Sequence, residues 1–123
     1  MEKIFYSAES FEIVGAAIEV WKKLEYGFLE KVYENALAVE LERRAIPFQQ
    51  QKPLKVNYAG RVVGEYVADL IVDSKILLEP KSVQAMGDAH IAQVLNYLKA
   101  TGIRLGIILN FGPEKMESKR VVL

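Results

Sequence analysis

Residues 65–83 read Glu65-Tyr66-Val67-Ala68-Asp69-Leu70-Ile71-Val72, then Asp73-Ser74-Lys75, then Ile76-Leu77-Leu78-Glu79-Pro80-Lys81-Ser82-Val83. Two apolar runs flank three polar residues, the pattern of a hairpin with a short loop. Alternation with a period of two puts Glu65, Val67, Asp69 and Ile71 on one side of the first strand, and Glu79 with Lys81 on one side of the second. A loop at 73–75 pairs Val72 with Ile76 and carries Asp69 opposite Glu79, with Cβ atoms about 5 Å apart. Two carboxylates facing each other destabilise a sheet unless something neutralises them, and a hard divalent cation bound through carboxylate oxygens does so. The same pair also fits an acidic patch on a solvated sheet face, and spacing alone does not choose between them.

Outward from this hairpin, a period-two segment from about Phe48 to Ala59 and a turn at Ala59-Gly60 precede the strand from Arg61 to Val72, completing a three-stranded antiparallel meander. Upstream lie two helical patterns. From Ala8 to Leu24, Phe11, Val14, Ile18 and Trp21 recur at three- and four-residue steps, and the pattern stops near Gly27. From about Phe28 to Ala45, Leu29, Val32, Tyr33, Ala36 and Leu37 mark one face, and Ile46-Pro47 ends the helix. Downstream, Asp88 is the expected N-cap of a helix running to about Ala100, with Gly102 as its stop. Ile103 to Asn110 reads as a fully buried strand, and Glu117 to Val122 as a short edge strand. The late helix between two strands implies one parallel pair in a mixed sheet.

The 123 residues suit one domain spanning 1–123, with a core large enough to need no metal or disulfide staple. The chain has no Cys, which excludes disulfides, thiolate nucleophiles, Cys-ligated zinc and iron–sulfur clusters and points away from an oxidising compartment. The N-terminal stretch Met1–Glu9 mixes acids into any apolar run, and nothing approaches the roughly 18 apolar residues of a membrane span, so a cytoplasmic location is expected. Sixteen basic and sixteen acidic residues give zero net charge, without the global basic bias of a non-specific nucleic-acid binder.

Asp69, followed ten positions later by Glu79-Pro80-Lys81, resembles the D…(D/E)xK signature of the PD-(D/E)XK nuclease superfamily. Gln93-Val94-Leu95-Asn96-Tyr97 is similar to the QxxxY element of its RecB-like branch, and Gly27-Phe28-Leu29-Glu30-Lys31-Val32-Tyr33 matches the motif of the GxxExxY family within it. The resemblance runs from about Phe11 to Asn110. It implies an α/β restriction-endonuclease-like core (α-β-β-β-α-β) with an extra N-terminal helix, the order that periodicity also suggests. Its implied activity is metal-dependent hydrolysis of phosphodiester bonds, of DNA ahead of RNA. Asp69 and Glu79 would hold Mg²⁺, with Mn²⁺ as substitute, Lys81 would orient or deprotonate the attacking water, and Glu30 would serve as an accessory acid. Gln93 and Tyr97 would face the substrate. A homodimer or a complex with a protein partner is the working assembly such a short nuclease domain implies.

The chain departs from the family at Trp21, where a His is common, and at Leu24-Glu25-Tyr26-Gly27, where a Gly-Pro-Gly-like turn is common. Pro80 is a sharper departure, because proline cannot donate a ladder hydrogen bond and belongs at edges or bulges. Pro80 and the neutral charge favour a rival reading, a catalytically inactive nuclease-fold domain that binds nucleic acid or a protein. A third, a small-molecule hydrolase, requires a deep closed pocket.

Other residues carry blander readings. A lone Glu30 at the border of an apolar stripe is usually solvated. Glu40, inside that stripe, is expected to pair with a buried partner or reach the site. Ile91, Val94, Leu95 and Leu98 form the expected core stripe of the late helix, with His90, Gln93 and Tyr97 at its edge. His90 suits a hydrogen-bonded surface role, since no second His completes a zinc set. Lys52, Lys55, Arg61, Lys99 and Arg104 are candidate phosphate contacts or plain solvated surface.

Overall fold

A computed structural model describes residues 6–123; the expectation for the N-terminal stretch therefore falls partly, at residues 1–5, outside the described residues. The elements follow the expected order: α1 (Ser7–Leu24), α2 (Glu30–Arg43), β1 (Phe48–Tyr58), β2 (Arg61–Val72), β3 (Ile76–Lys81), α3 (Asp88–Thr101), β4 (Leu105–Phe111) and β5 (Met116–Val122). The strands form one mixed sheet in the order β1-β2-β3-β4-β5. Among the described residues only the β3–β4 pair is parallel, and α3 is the crossover that permits it.

Helices cover both faces of the sheet. Leu70, Val72, Ile76, Leu78, Leu105, Ile107, Leu109 and Phe111 pack with α1 and α2. Ile71, Leu77, Ile108 and Val121 pack with Val94 and Leu98 of α3. Every residue of β4 is buried, the signature of a strand enclosed on two sides. Gly106 lets α3 settle onto it, since a Cβ there would lie 2.5 Å from Val94 Cγ1.

Two helix faces differ from the sequence expectation. On α1 the buried positions are Ser10, Ile13, Ala16, Ala17 and Val20, whereas Phe11 is 77% exposed and Ile18 is also exposed. Of the expected face, Val14 and Trp21 are partly buried against the core while Phe11 and Ile18 lie outside it; the buried face is turned toward Ser10, Ala16 and Ala17, whose small side chains permit close approach. On α2 the buried set is Tyr33, Glu34, Leu37, Ala38 and Leu41, while Leu29 is 81% exposed and Val32 is exposed. The true stripe is turned by about one residue, roughly 100°. Boundaries shift only slightly: Gly87 takes the N-cap position of α3 and Asp88 is its first helical residue. Leu95 of α3 is exposed, so Val94 and Leu98 carry the core there.

The turned face of α1 gives a direct test. Ile13→Ala is expected to cost 2–5 kcal/mol by cavity formation, and Phe11→Ser less than about 0.5 kcal/mol. Urea unfolding of the two variants measures both, and a larger loss at Phe11 would reverse the assignment.

Candidate functional site

The β2–β3 hairpin adopts the expected loop, with Val72 paired to Ile76 and Leu70 to Leu78. The ladder ends there, one step before Asp69 and Glu79. On the other side of β2, pairing with β1 runs through Gln50↔Leu70 and resumes at Lys52↔Ala68, skipping the opposed residues Gln51 and Asp69. Gln51 has φ +54°, a left-handed backbone that a non-glycine residue in a strand adopts at roughly 1–2 kcal/mol. A left-handed residue reverses the side-to-side alternation. Phe48 and Leu70 accordingly face the α1–α2 core, whereas Leu54 and Ala68 belong to the α3 core. Tyr66 packs edge-on against Tyr97 of α3, with centroids 5.4 Å apart, and accepts a 3.0 Å hydrogen bond from Asn96 Nδ2. The hairpin thus changes face at Gln51 and Asp69, and Asp69 is released from regular pairing on both sides.

Glu79 and Lys81 stay in register with β4, opposite Ile108 and Asn110, and Pro80 lies between them opposite Leu109. Because the β2 ladder has already ended at Leu78, β3 has a free side here, which is where a strand tolerates proline. The proline therefore fits the strand without displacing its neighbours. Lys81 Nζ lies 3.4 Å from Glu79 Oε1 and 4.0 Å from Glu30 Oε1, and donates a 3.2 Å hydrogen bond to Gln93 Oε1. Gln93 Nε2 in turn donates to Tyr97 Oη at 3.3 Å. The sequence-identified residues Glu30, Asp69, Glu79, Lys81, Gln93 and Tyr97 are thus brought into one neighbourhood by α2, β2, β3 and α3.

Glu34 and Gln51 join them without having been singled out from the sequence. Glu34 is 4% exposed and accepts hydrogen bonds from Gln50 Nε2 (2.6 Å), Gln51 Nε2 (3.0 Å) and Lys31 Nζ (3.0 Å). Gln51 Nε2 also donates to Asp69 Oδ1 at 3.3 Å, so one amide ties α2 to β2. Glu34 lies four residues beyond Glu30, on the same helix row as Leu37 and Leu41; setting the stripe by those leucines would have exposed an acid at its centre. Asn110 is also buried. Its amide accepts from Val83 N and donates to Val83 O, both at 3.0 Å, fastening the chain just after Lys81.

Other candidates lie apart. Glu40 pairs instead with Arg44 (3.2 Å) and Arg43 on its own helix end. His90 Nδ1 accepts the Gly87 N–H at the start of α3, a capping role. Lys52, Lys55 and Arg61 are distributed along the hairpin, Lys99 lies in the last turn of α3, and Arg104 immediately precedes β4.

The site holds more carboxylates than cations. Glu79 is 3% exposed, and its Oε2 is buried without a hydrogen-bond partner. Burial, then the Asp69 charge, push its carboxyl from an ordinary 4.5 up to about 7, despite the opposing pull of Lys81. Burial and the neighbouring Glu34 charge likewise raise Asp69. An orphaned buried oxygen beside a second carboxylate fits a hard divalent cation. Among the described residues no three His, Cys, Asp or Glu side chains form a metal cage by themselves.

A family model described as the PD-(D/E)XK nuclease superfamily matches residues 7–121. A solved structure titled "Crystal structure of SSO0001" is similar, with a TM-score of 0.63 and 18% identity, covering 95% of this chain and 59% of that one. The chain thus spans about three fifths of that protein's length, and a likeness at this identity speaks for the fold alone. No curated protein matches the chain.

The raised Glu79 carboxyl gives stability a defined pH dependence. The folded protein keeps a proton that the unfolded chain releases near 4.5, so folding is most favoured by this group below that value. Stability falls as the pH rises from 4.5 to about 7, by about 3 kcal/mol from Glu79 alone. Thermal melts in EDTA are expected to show a lower Tm at pH 8 than at pH 5, and Glu79→Gln is expected to flatten that slope and raise the Tm at pH 8. An unchanged slope in the variant would place the titration elsewhere.

Proposed function

Because the chain belongs to the PD-(D/E)XK nuclease superfamily, we propose that it is a metal-dependent nuclease that hydrolyses phosphodiester bonds, of DNA in preference to RNA, and that it works in the cytoplasm. The observation that carries this reading is the partnerless buried Oε2 of Glu79, next to Asp69 and 3.4 Å on its other oxygen from Lys81. Within the superfamily we assign the chain to the GxxExxY group of the RecB-like branch, on Gly27, Glu30 and Tyr33 and on Gln93 and Tyr97.

Asp69 and Glu79 would hold Mg²⁺, or Mn²⁺ in its place, which when bound neutralises charge on the scissile phosphate and lowers the pKa of a water. Lys81 presents an ammonium to the same phosphate. Glu30, Glu79 and Gln93 hold its Nζ from three elements, so it needs little reorganisation as charge develops in the transition state. Gln51 and Glu34 orient Asp69. Water oxygen would attack phosphorus as the bond to the leaving oxygen breaks, the water's proton passing to solvent and the leaving oxygen taking one from solvent, with Lys81 orienting that water. Gln93 and Tyr97 line the α3 side, where a substrate strand would lie.

Purified protein is expected to cleave DNA with Mg²⁺ or Mn²⁺ and not in EDTA. Lys81→Ala and Asp69→Asn are each expected to slow cleavage by about 10²–10³-fold, the scale for removing one charge-stabilising group. Mn²⁺ should raise the wild-type Tm at pH 8 and leave Glu79→Gln unmoved. No cleavage of DNA or RNA and no metal-induced shift in Tm would favour a non-catalytic domain.

A further inference from the structure

Between α1 and α2, Tyr26, Phe28 and Leu29 are all exposed, Phe28 at 48%. Isolated exposed apolar side chains are ordinary on any protein. Three within four residues, immediately ahead of Glu30, form a patch at the rim of the carboxylate site. The segment is also fastened at several points. Phe28 N donates to Tyr33 Oη at 3.3 Å, Tyr33 Oη donates to the Glu25 carbonyl, and Ser82 Oγ donates to Phe28 O at 3.5 Å. The Phe28 ring meets Tyr33 edge-on at 6.2 Å, and Tyr33 stacks on buried Phe111 at 4.7 Å. Trp21 Nε1 donates to Gly112 O at 2.9 Å, and Glu25 N donates to Trp21 O at 2.8 Å, holding the end of α1 where the segment begins.

Ser82 directly follows Lys81, so Phe28 is tied within one residue of the site lysine. On the far side of Lys81, Gln93 leads to the Tyr97–Tyr66 pair. Lys81 is thus linked through its neighbour Ser82 to the Phe28 backbone, and through Gln93 to the partly buried Tyr97–Tyr66 pair. A segment whose backbone is already fastened, with its ring resting edge-on against Tyr33, loses less conformational freedom on binding than a mobile loop would.

We infer that Phe28 is a stacking platform for a nucleobase beside the scissile phosphate, and that the substrate is single-stranded DNA or a duplex end with unpaired bases. In a paired duplex both faces of each base are covered by its neighbours, so an exposed ring has nothing to stack on until a base is free. The inference rests on the nuclease reading and narrows its substrate.

Binding of one labelled sequence, single-stranded or duplex, is measured by fluorescence anisotropy with Ca²⁺ in place of Mg²⁺, alongside cleavage in Mg²⁺. Phe28→Ala is expected to weaken single-strand binding about tenfold and duplex binding less than twofold. Phe28→Trp, which keeps a stacking surface, is expected to retain single-strand binding, and melts of both variants show that the fold is intact. Equal losses for the two forms, or no loss, with wild-type cleavage intact would overturn the stacking role and leave the nuclease standing. A wild-type protein that neither binds nor cuts either form would overturn both.

Discussion

The break in pairing at Gln51 and Asp69 is the constraint on which the site depends. A hairpin of eleven- and twelve-residue strands that alternated without interruption would keep one row of side chains against one helix layer. Here the left-handed backbone at Gln51 inverts that alternation midway. The half near the β2–β3 turn packs on α1 and α2, and the far half packs on α3 through Leu54, Tyr66 and Ala68. The strain is offset where it arises, since the Gln51 amide bonds both Glu34 and Asp69. The interruption also leaves Asp69 just past the end of the β2–β3 ladder, where a carboxylate can meet ligands that a continuous sheet would exclude.

Glu79 represents the opposite choice. It sits on a regular parallel ladder, buried, with an oxygen that nothing in the chain satisfies. Such an atom costs on the order of 1–3 kcal/mol in a core that otherwise pairs its polar groups. Asn110 shows that the same sheet can satisfy a buried side chain fully, through two bonds to Val83. That unsatisfied oxygen next to like charge is the observation on which the proposed metal site rests. Lys81 offsets part of the charge, and its three partners come from α2, β3 and α3, so the lysine also couples the two helix layers across the sheet.

How much was legible in advance follows from the range of each interaction. The three-residue loop and the period-two runs around it depend on neighbours a few residues apart, so the register from Val72–Ile76 to Leu70–Leu78 could be read from residues 65–83; the expected Asp69–Glu79 pair lies one step past the end of that ladder and is not formed. Element order and the parallel crossover followed for the same reason, and the family motifs pointed to Glu30, Lys81, Gln93 and Tyr97. Pro80 looked like a conflict because a strand's pairing partners are not visible along the chain. It was resolved by the early end of the β2 ladder.

Helix faces and the remaining members of the site needed the tertiary structure. Phe11 against Ile13, or Leu29 against Leu41, cannot be separated by hydrophobicity; what separates them is which surface another element covers. Glu34 is buried only because β1 brings Gln50 and Gln51 to it, 16 and 17 residues away. Local sequence determined the hairpin, the strand register and the identity of the chemical groups, since short-range sterics and alternation act within a few residues. The folded structure decided which carboxylates share one site, because burial and charge coupling are set by contacts among elements distant along the chain.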